Sequence, residues 1–142
     1  MMRAPFTLTI AALLALAGPG FAQEKVQPKL LLELNALESQ PGGCRLTLLI
    51  ENRLGAALNL AAFEVAMFGP AGQVERLALL EFSDLPEGKT RVRRFDLPGP
   101  DCTHWSRLLV NDAPQCRGQG VERKACLKAL GTQNRSNIPF GG

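Results

Sequence analysis

Apolar and polar positions alternate with a period of two through most of this chain. Leu30, Leu32 and Leu34 alternate with Leu31, Glu33 and Asn35, which predicts a strand, because successive side chains of an extended backbone leave on opposite faces. SQPGG then reads as a turn. CRLTLLIENR is the clearest strand, with Cys44, Leu46, Leu48 and Ile50 on one face and Arg45, Thr47, Leu49 and Glu51 on the other. One face is therefore buried and the other mostly wet. LGAALN bridges to LAAFEVAMF, where Phe63, Val65 and Met67 share a face over a run long enough for a strand or a short helix. The following GPAGQ decides for a strand, since a Pro-Ala-Gly turn between two apolar runs reads as a hairpin. VERLALLEF returns as a fourth strand, SDLPEGK turns the chain again, and TRVRRFDL is the fifth.

The fifth strand has a phase conflict. Val92 and Phe95 are an odd number of residues apart, so a regular strand sends them to opposite faces. A bulge near Arg93 and Arg94 is expected to bring both inside. PGPDCTHW leads into a short sixth strand within SRLLVND, with Leu108 and Val110 facing one way. Beyond it VERKACLKAL carries a helical stripe of Val121, Ala125, Leu127 and Leu130, with Gly131 as its stop. The tail TQNRSNIPFGG is polar except for Ile138 and Phe140. It is either loose or a last short strand laid against an edge. Short strands about ten residues apart, joined by Gly/Pro turns without intervening helices, indicate an antiparallel sandwich or barrel. The sandwich is the reading adopted here, and no segment copies another as a repeat fold would require.

The first residues change the picture of where the protein works. MMRAPFTLTIAALLALAGPGFAQ has one early arginine, an apolar run from Phe6 to Ala17, a Gly-Pro-Gly break and small residues at Gly20 and Ala22. That is the order of a secretory signal peptide cut after Ala22. The run is too short for a membrane span, no cysteine stands at the cut, and no paired arginines precede the run. The expected organisation is a signal peptide over 1–22, a flexible leader over 23–28, the β-sandwich over 29–112, a disulfide-tied helical extension over 113–131 and a tail over 132–142. Removing 22 of the 142 residues leaves 120, enough for one domain. Removing Arg3 lowers the formal charge of +3 by one, so the exported part is close to neutral. With basic residues dispersed and no tyrosine, no footprint for nucleic acid is present, and no later stretch is apolar enough to span a membrane.

All four cysteines, Cys44, Cys102, Cys116 and Cys126, lie in the exported part, and an even number in an oxidising compartment reads as two disulfides. There is no CxxC pair and a single histidine, which disfavours a zinc site. If the strands alternate up and down, Cys44 and Cys102 both stand where a strand begins at the same end of the sandwich. Cys116 follows the sixth strand and so lies at the other end, roughly 20 Å away at about 3.3 Å per residue. Bridged cysteines need Cα atoms within about 7 Å, so the expected pairs are Cys44–Cys102 and Cys116–Cys126.

Chemistry has few candidates. His104 could serve in acid-base work with Cys102 or Ser106 as nucleophile and Asp101 as orienting group. These residues are neighbours in sequence, unlike triads assembled from separate elements, and a bridged Cys102 cannot attack. The expected role for His104 is a loop histidine beside Trp105, which plugs the end of the sandwich. Arg91 to Arg94 read as a solvated strand face whose charge discourages edge pairing. Asp84 and Glu87 flank a turn without the ligand density of a calcium loop. Asn134-Arg135-Ser136 matches a glycosylation acceptor, a three-residue motif that carries little meaning alone. No GxSxG elbow, phosphate-binding glycine loop or HExxH motif occurs. No catalytic, cofactor-binding or metal-binding residue is assigned.

The stretch from Ile50 to Leu97 resembles the FxLYD type of immunoglobulin-like domain found in exported bacterial proteins. The resemblance rests on Glu51-Asn52 at a strand end, on Phe68, Gly69, Gly72 and Val74 around a hairpin, and on Leu85 and Gly88 in a turn leading to Phe95. It covers roughly half of the exported chain, which departs from the type by its four cysteines and its helical extension. The whole chain is also similar to small exported bacterial proteins often labelled as Tat-signal proteins, although the twin arginines are missing. What the resemblance implies is an immunoglobulin-like antiparallel β-sandwich, to which the stripe of Val121, Ala125, Leu127 and Leu130 adds an expected short C-terminal helix. The functional expectation is a non-enzymatic periplasmic or secreted binding or accessory module with a protein partner and no cofactor. Alternatives are a small exported enzyme or inhibitor using the Cys102–Cys126 region, or a subunit that self-assembles through edge strands by way of Leu31, Leu49, Ile138 and Phe140.

Overall fold

The structure is a computed structural model describing residues 27–142 together with Gly18, Gly20 and Ala22. The expected signal peptide and most of the leader thus lie outside the described residues. Eight strands form two sheets: β1 (Leu30–Gln40), β2 (Gly43–Asn52), β3 (Leu58–Phe68), β4 (Val74–Leu85), β5 (Thr90–Pro98), β6 (Arg107–Arg117), β7 (Leu130–Asn134) and β8 (Phe140–Gly141). A 3-10 turn spans Cys102–His104, and one helical turn, α1, spans Ala125–Lys128. One sheet has the order β5-β2-β1-β7 and the other β4-β3-β6-β8. The chain passes between the sheets after β2, β4, β5, β6 and β7. The packing of β5-β2-β1 against β4-β3-β6 is the strand arrangement of immunoglobulin-like sandwiches.

The period-two pattern explains the core. Leu30, Leu32 and Leu34 of β1, Leu46, Leu48 and Ile50 of β2, Phe63, Val65 and Met67 of β3, and Leu108 and Val110 of β6 are all buried in one cluster. Phe63 and Phe82 meet edge to face at 5.9 Å, and Phe82 meets Phe95 the same way at 5.2 Å. Because Phe95 comes from the opposite sheet, this aromatic chain spans the gap between the layers, a geometry that adds to the area it buries. Asn52, fully buried, holds the lower end together. Its Nδ2 donates to the carbonyls of Ala56 (2.8 Å) and Leu85 (2.9 Å), and its Oδ1 accepts from the Leu54 amide at 3.0 Å.

Three expectations are corrected. First, no bulge occurs near Arg93 and Arg94: β2 and β5 pair without interruption from Gly43↔Pro98 to Glu51↔Thr90. Phe95 points inward, and Val92 faces solvent at 54% exposure. The phase conflict is resolved by leaving an apolar residue outside, which an edge strand tolerates. Arg93 takes the inward parity at the open seam, where Nη2 donates to the Ser83 carbonyl of β4 at 3.0 Å. Arg76 of β4 reciprocates, its Nη2 donating to the Pro98 carbonyl of β5 at 2.7 Å. Two facing edge strands are thereby clipped together by arginines, and carbonyls otherwise open to strand pairing are occupied. Val92→Thr is accordingly expected to change stability by less than about 0.5 kcal/mol, whereas Phe95→Leu costs about 1.5 kcal/mol. Urea unfolding of both variants checks this, and a larger loss at Val92 would contradict the assigned phase.

Second, the helical extension is mostly strand and loop. β6 runs on to Arg117 and the helix is the single turn α1. Leu127 is 42% exposed and off the buried side, while Val121, Ala125 and Leu130 pack on the core. Gly131 does not stop a helix; it lies in β7, where a Cβ would meet the Pro28 ring at 2.5 Å. Third, the tail supplies two strands, and both pair in parallel, β7 with β1 and β8 with β6. Asn134 turns the chain between them, its Nδ2 donating to the Ile138 carbonyl at 2.7 Å and its Oδ1 accepting from the Ser136 amide at 2.9 Å. One flank of the sandwich is thus closed by the tail and the other by the arginine clips.

Candidate interaction face

The disulfide-tied end was the chemically richest stretch of sequence. Cys44 is bridged to Cys102 with Cα atoms 4.8 Å apart, and Cys116 to Cys126 at 5.7 Å, the pairing that strand alternation implies. Bridge formation removes Cys102 as a nucleophile. The Ser106 hydroxyl donates to the Gly69 carbonyl at 2.6 Å, joining its loop to the β3–β4 hairpin. The Asp101 carboxylate caps the 3-10 turn, accepting from the Thr103 amide at 2.9 Å and from the Thr103 hydroxyl. His104 Nε2 donates to Glu75 Oε2 at 2.5 Å and its ring stands edge-on to Trp105, centroids 4.9 Å apart. Trp105 is buried, and the Arg76 guanidinium lies 5.6 Å from its ring centre. Each side chain put forward for catalysis is engaged in fixing the loop, and Asp101 does not orient His104.

Thr103 holds the Asp101 carboxyl below the ordinary 3.8 by hydrogen bonding. Arg45 does the same for Asp96, donating from Nε at 2.7 Å and from Nη2 at 3.0 Å across the β2–β5 pair. A carboxyl with a depressed folded-state pKa contributes stability that is present above its unfolded pKa and lost as pH falls through the folded value. Both residues therefore weaken the fold only below about pH 4. Among the described residues no group of three or more His, Cys, Asp or Glu is placed to hold a metal ion, and no helix is long and apolar enough to cross a membrane.

The residues expected to mediate self-assembly divide into two pairs. Ile138 and Phe140 pack against the core from the tail, and Leu31 and Leu49 are half-buried on the outer face of β1 and β2. Beside them Glu33 is buried on that outer face, accepting from Asn35 Nδ2 at 2.9 Å and from Arg135 Nε at 3.1 Å.

The outer face of the other sheet carries three of the exposed large apolar side chains, Val74, Leu77 and Leu79. On β3 the even positions point outward, since Ala61, Phe63, Val65 and Met67 belong to the core. Register then sets the transverse rows. Val74, Phe68 and Arg107 form one; Leu77, Ala66 and Leu109 the next; Leu79, Glu64 and Asp112 the third; and Glu81, Ala62 and Gln115 the fourth. Val74, Leu77 and Leu79 are 51%, 57% and 52% exposed. The Arg107 guanidinium lies 5.1 Å from the Phe68 ring centre, and Asn111 Nδ2 donates to Glu64 Oε1 at 2.7 Å. The face is therefore a band of apolar side chains with a cation at one margin and carboxylates at the other. Sequence reading passed over it. The available signal was LALL at positions 77–80, apolar at both parities in a strand whose other half alternates. No family model, curated protein or solved structure matches this chain.

Proposed function

We propose that this protein is a periplasmic or secreted, non-enzymatic binding or accessory module whose working surface is the outer face of β4, β3 and β6. Val74, Leu77 and Leu79 carry the reading, because three large apolar side chains in neighbouring rows of one face cost hydration that a monomer gains nothing by keeping. The leader-like first 22 residues and the two disulfides support export. His104 belongs to the scaffold that braces the β3–β4 hairpin.

Capture on the immobilised, oxidised protein tests this. Leu79→Glu is expected to abolish retention of the bound protein from an envelope extract of the host, while His104→Ala leaves it unchanged. Loss through His104→Ala with Leu79→Glu unaffected would move the working surface to the disulfide-tied end.

A further inference from the structure

We infer that the occupant of this face is a second copy of the same chain, packed face to face about a twofold axis that crosses the strands at the row of Leu77, Ala66 and Leu109. The inference rests on the binding-face reading above and names its partner. Two features carry it: the apolar band, and the order of charges along the strands.

Rotation about such an axis leaves β4 over β4 and β6 over β6 but reverses their direction, so the row above Leu77 meets the row below it. Val74 of one copy then faces Leu79 of the other, and Leu77 faces Leu77. On β6, Arg107 faces Asp112, and on β3, Phe68 faces Glu64 beside that arginine. Both margins are satisfied at once, because an isologous contact repeats every pairing on its two sides. A twofold axis along the strands does worse. It keeps each row against itself and places Arg107 over Val74, leaving the cation against an apolar side chain, Asp112 against Leu79 and Glu64 against the Glu64 of the other copy. The charge order therefore selects one orientation, which is the main use of charge at an interface.

The contact is also compatible with the molecule's edges. Sheets pack through their faces at about 10 Å with strand directions nearly aligned, a contact that needs no pairing at the β4 edge, where Arg93 already occupies the Ser83 carbonyl. Small residues favour close approach: Ala62 and Ala66 stand in the middle of the face and are buried by their neighbours alone. Three strands about 4.8 Å apart and about 35 Å long offer on the order of 500 Å² per copy, below the roughly 800 Å² of a standard interface. The dimer is accordingly of the small, reversible class.

Sedimentation equilibrium of the oxidised protein, from about 1 μM to 1 mM, tests the inference. The expected result is a monomer–dimer equilibrium that Leu77→Arg weakens at least tenfold. Arg107→Asp and Asp112→Arg each weaken it, and the two together restore it. Melting curves establish that each variant is folded, and the double variant guards against a folding defect in either single one. Monomer mass throughout the range would overturn the inference, as would a dimer indifferent to Leu77→Arg or a charge reversal that fails to rescue. Monomer mass together with Leu79-dependent capture of a different protein overturns self-docking alone. Monomer mass with no Leu79-dependent capture overturns the binding-face reading as well.

Discussion

Replacing Cys44 and Cys102 together by alanine is expected to cost the fold about 4 kcal/mol, and replacing Cys116 and Cys126 about 3 kcal/mol. The order follows from the loops that the bridges close: the first pair is 58 residues apart in sequence and the second 10. Restricting a longer loop removes more entropy from the unfolded chain, although the dependence is only logarithmic. All four cysteines belong to the buried cluster between the sheets, so truncation loosens packing at either bridge, and the order rests on the loop lengths. For a domain whose total stability is about 5–15 kcal/mol, a loss of about 4 kcal/mol consumes a large part of it. Urea unfolding of the two double variants decides the order. A greater loss on removing Cys116–Cys126 would mean that the terminal segment, rather than the link between β2 and the 3-10 turn, dominates stability.

Asn52→Leu is the second large effect, at about 3 kcal/mol. Asn52 uses both amide protons and its oxygen on three different backbone groups, those of Ala56, Leu85 and Leu54, at a position with no exposed surface. Leucine fills the space and leaves two carbonyls and one amide unpaired. The cost of a lost partner is largest where water cannot replace it. Asn52→Asp isolates the donors from the shape: a carboxylate still accepts from Leu54 but faces the Ala56 and Leu85 carbonyls with no proton. Burial against those carbonyls raises the folded-state pKa of the introduced acid. Its penalty is therefore complete above that raised value and relieved as pH falls through it, when the neutral acid regains a donor. Thermal melts at neutral and mildly acidic pH are expected to show the gap between Asn52→Asp and the parent narrowing at acidic pH. A constant gap would place the loss elsewhere than in the donors.

The alternation of CRLTLLIENR and the spacing of Gly/Pro turns made the six long strands legible, and strand alternation made the cysteine pairs legible before any coordinates. The parallel edge strands were not. LGTQN carries no period, and β8 has two residues, so their place depends on which flank of the sandwich is open. Val92 misled because an apolar residue at an exposed edge looks like a core residue in sequence, while Arg93, which turns to the seam, looks like a surface one. Asn52 could be located at a strand end but not seen as the meeting point of the β2–β3 and β4–β5 connections, because its partners are distant by as many as 33 residues. The free face was hidden for a related reason. Leu77 and Leu79 are no different in type from Leu80, and only the register of β4 against β3 separates those that pack inside from those left outside.

The most direct test of the account is site-specific photocrosslinking in the producing cell, with a benzophenone side chain at position 79 and, as control, at position 92. Both sites are exposed to a similar degree, 52% and 54%, and they lie on different sheets. A discrete adduct from position 79 and none from position 92 is the predicted result. Adducts from position 92 alone, or none from position 79, would contradict the assignment of the outer face of β4, β3 and β6 as the working surface.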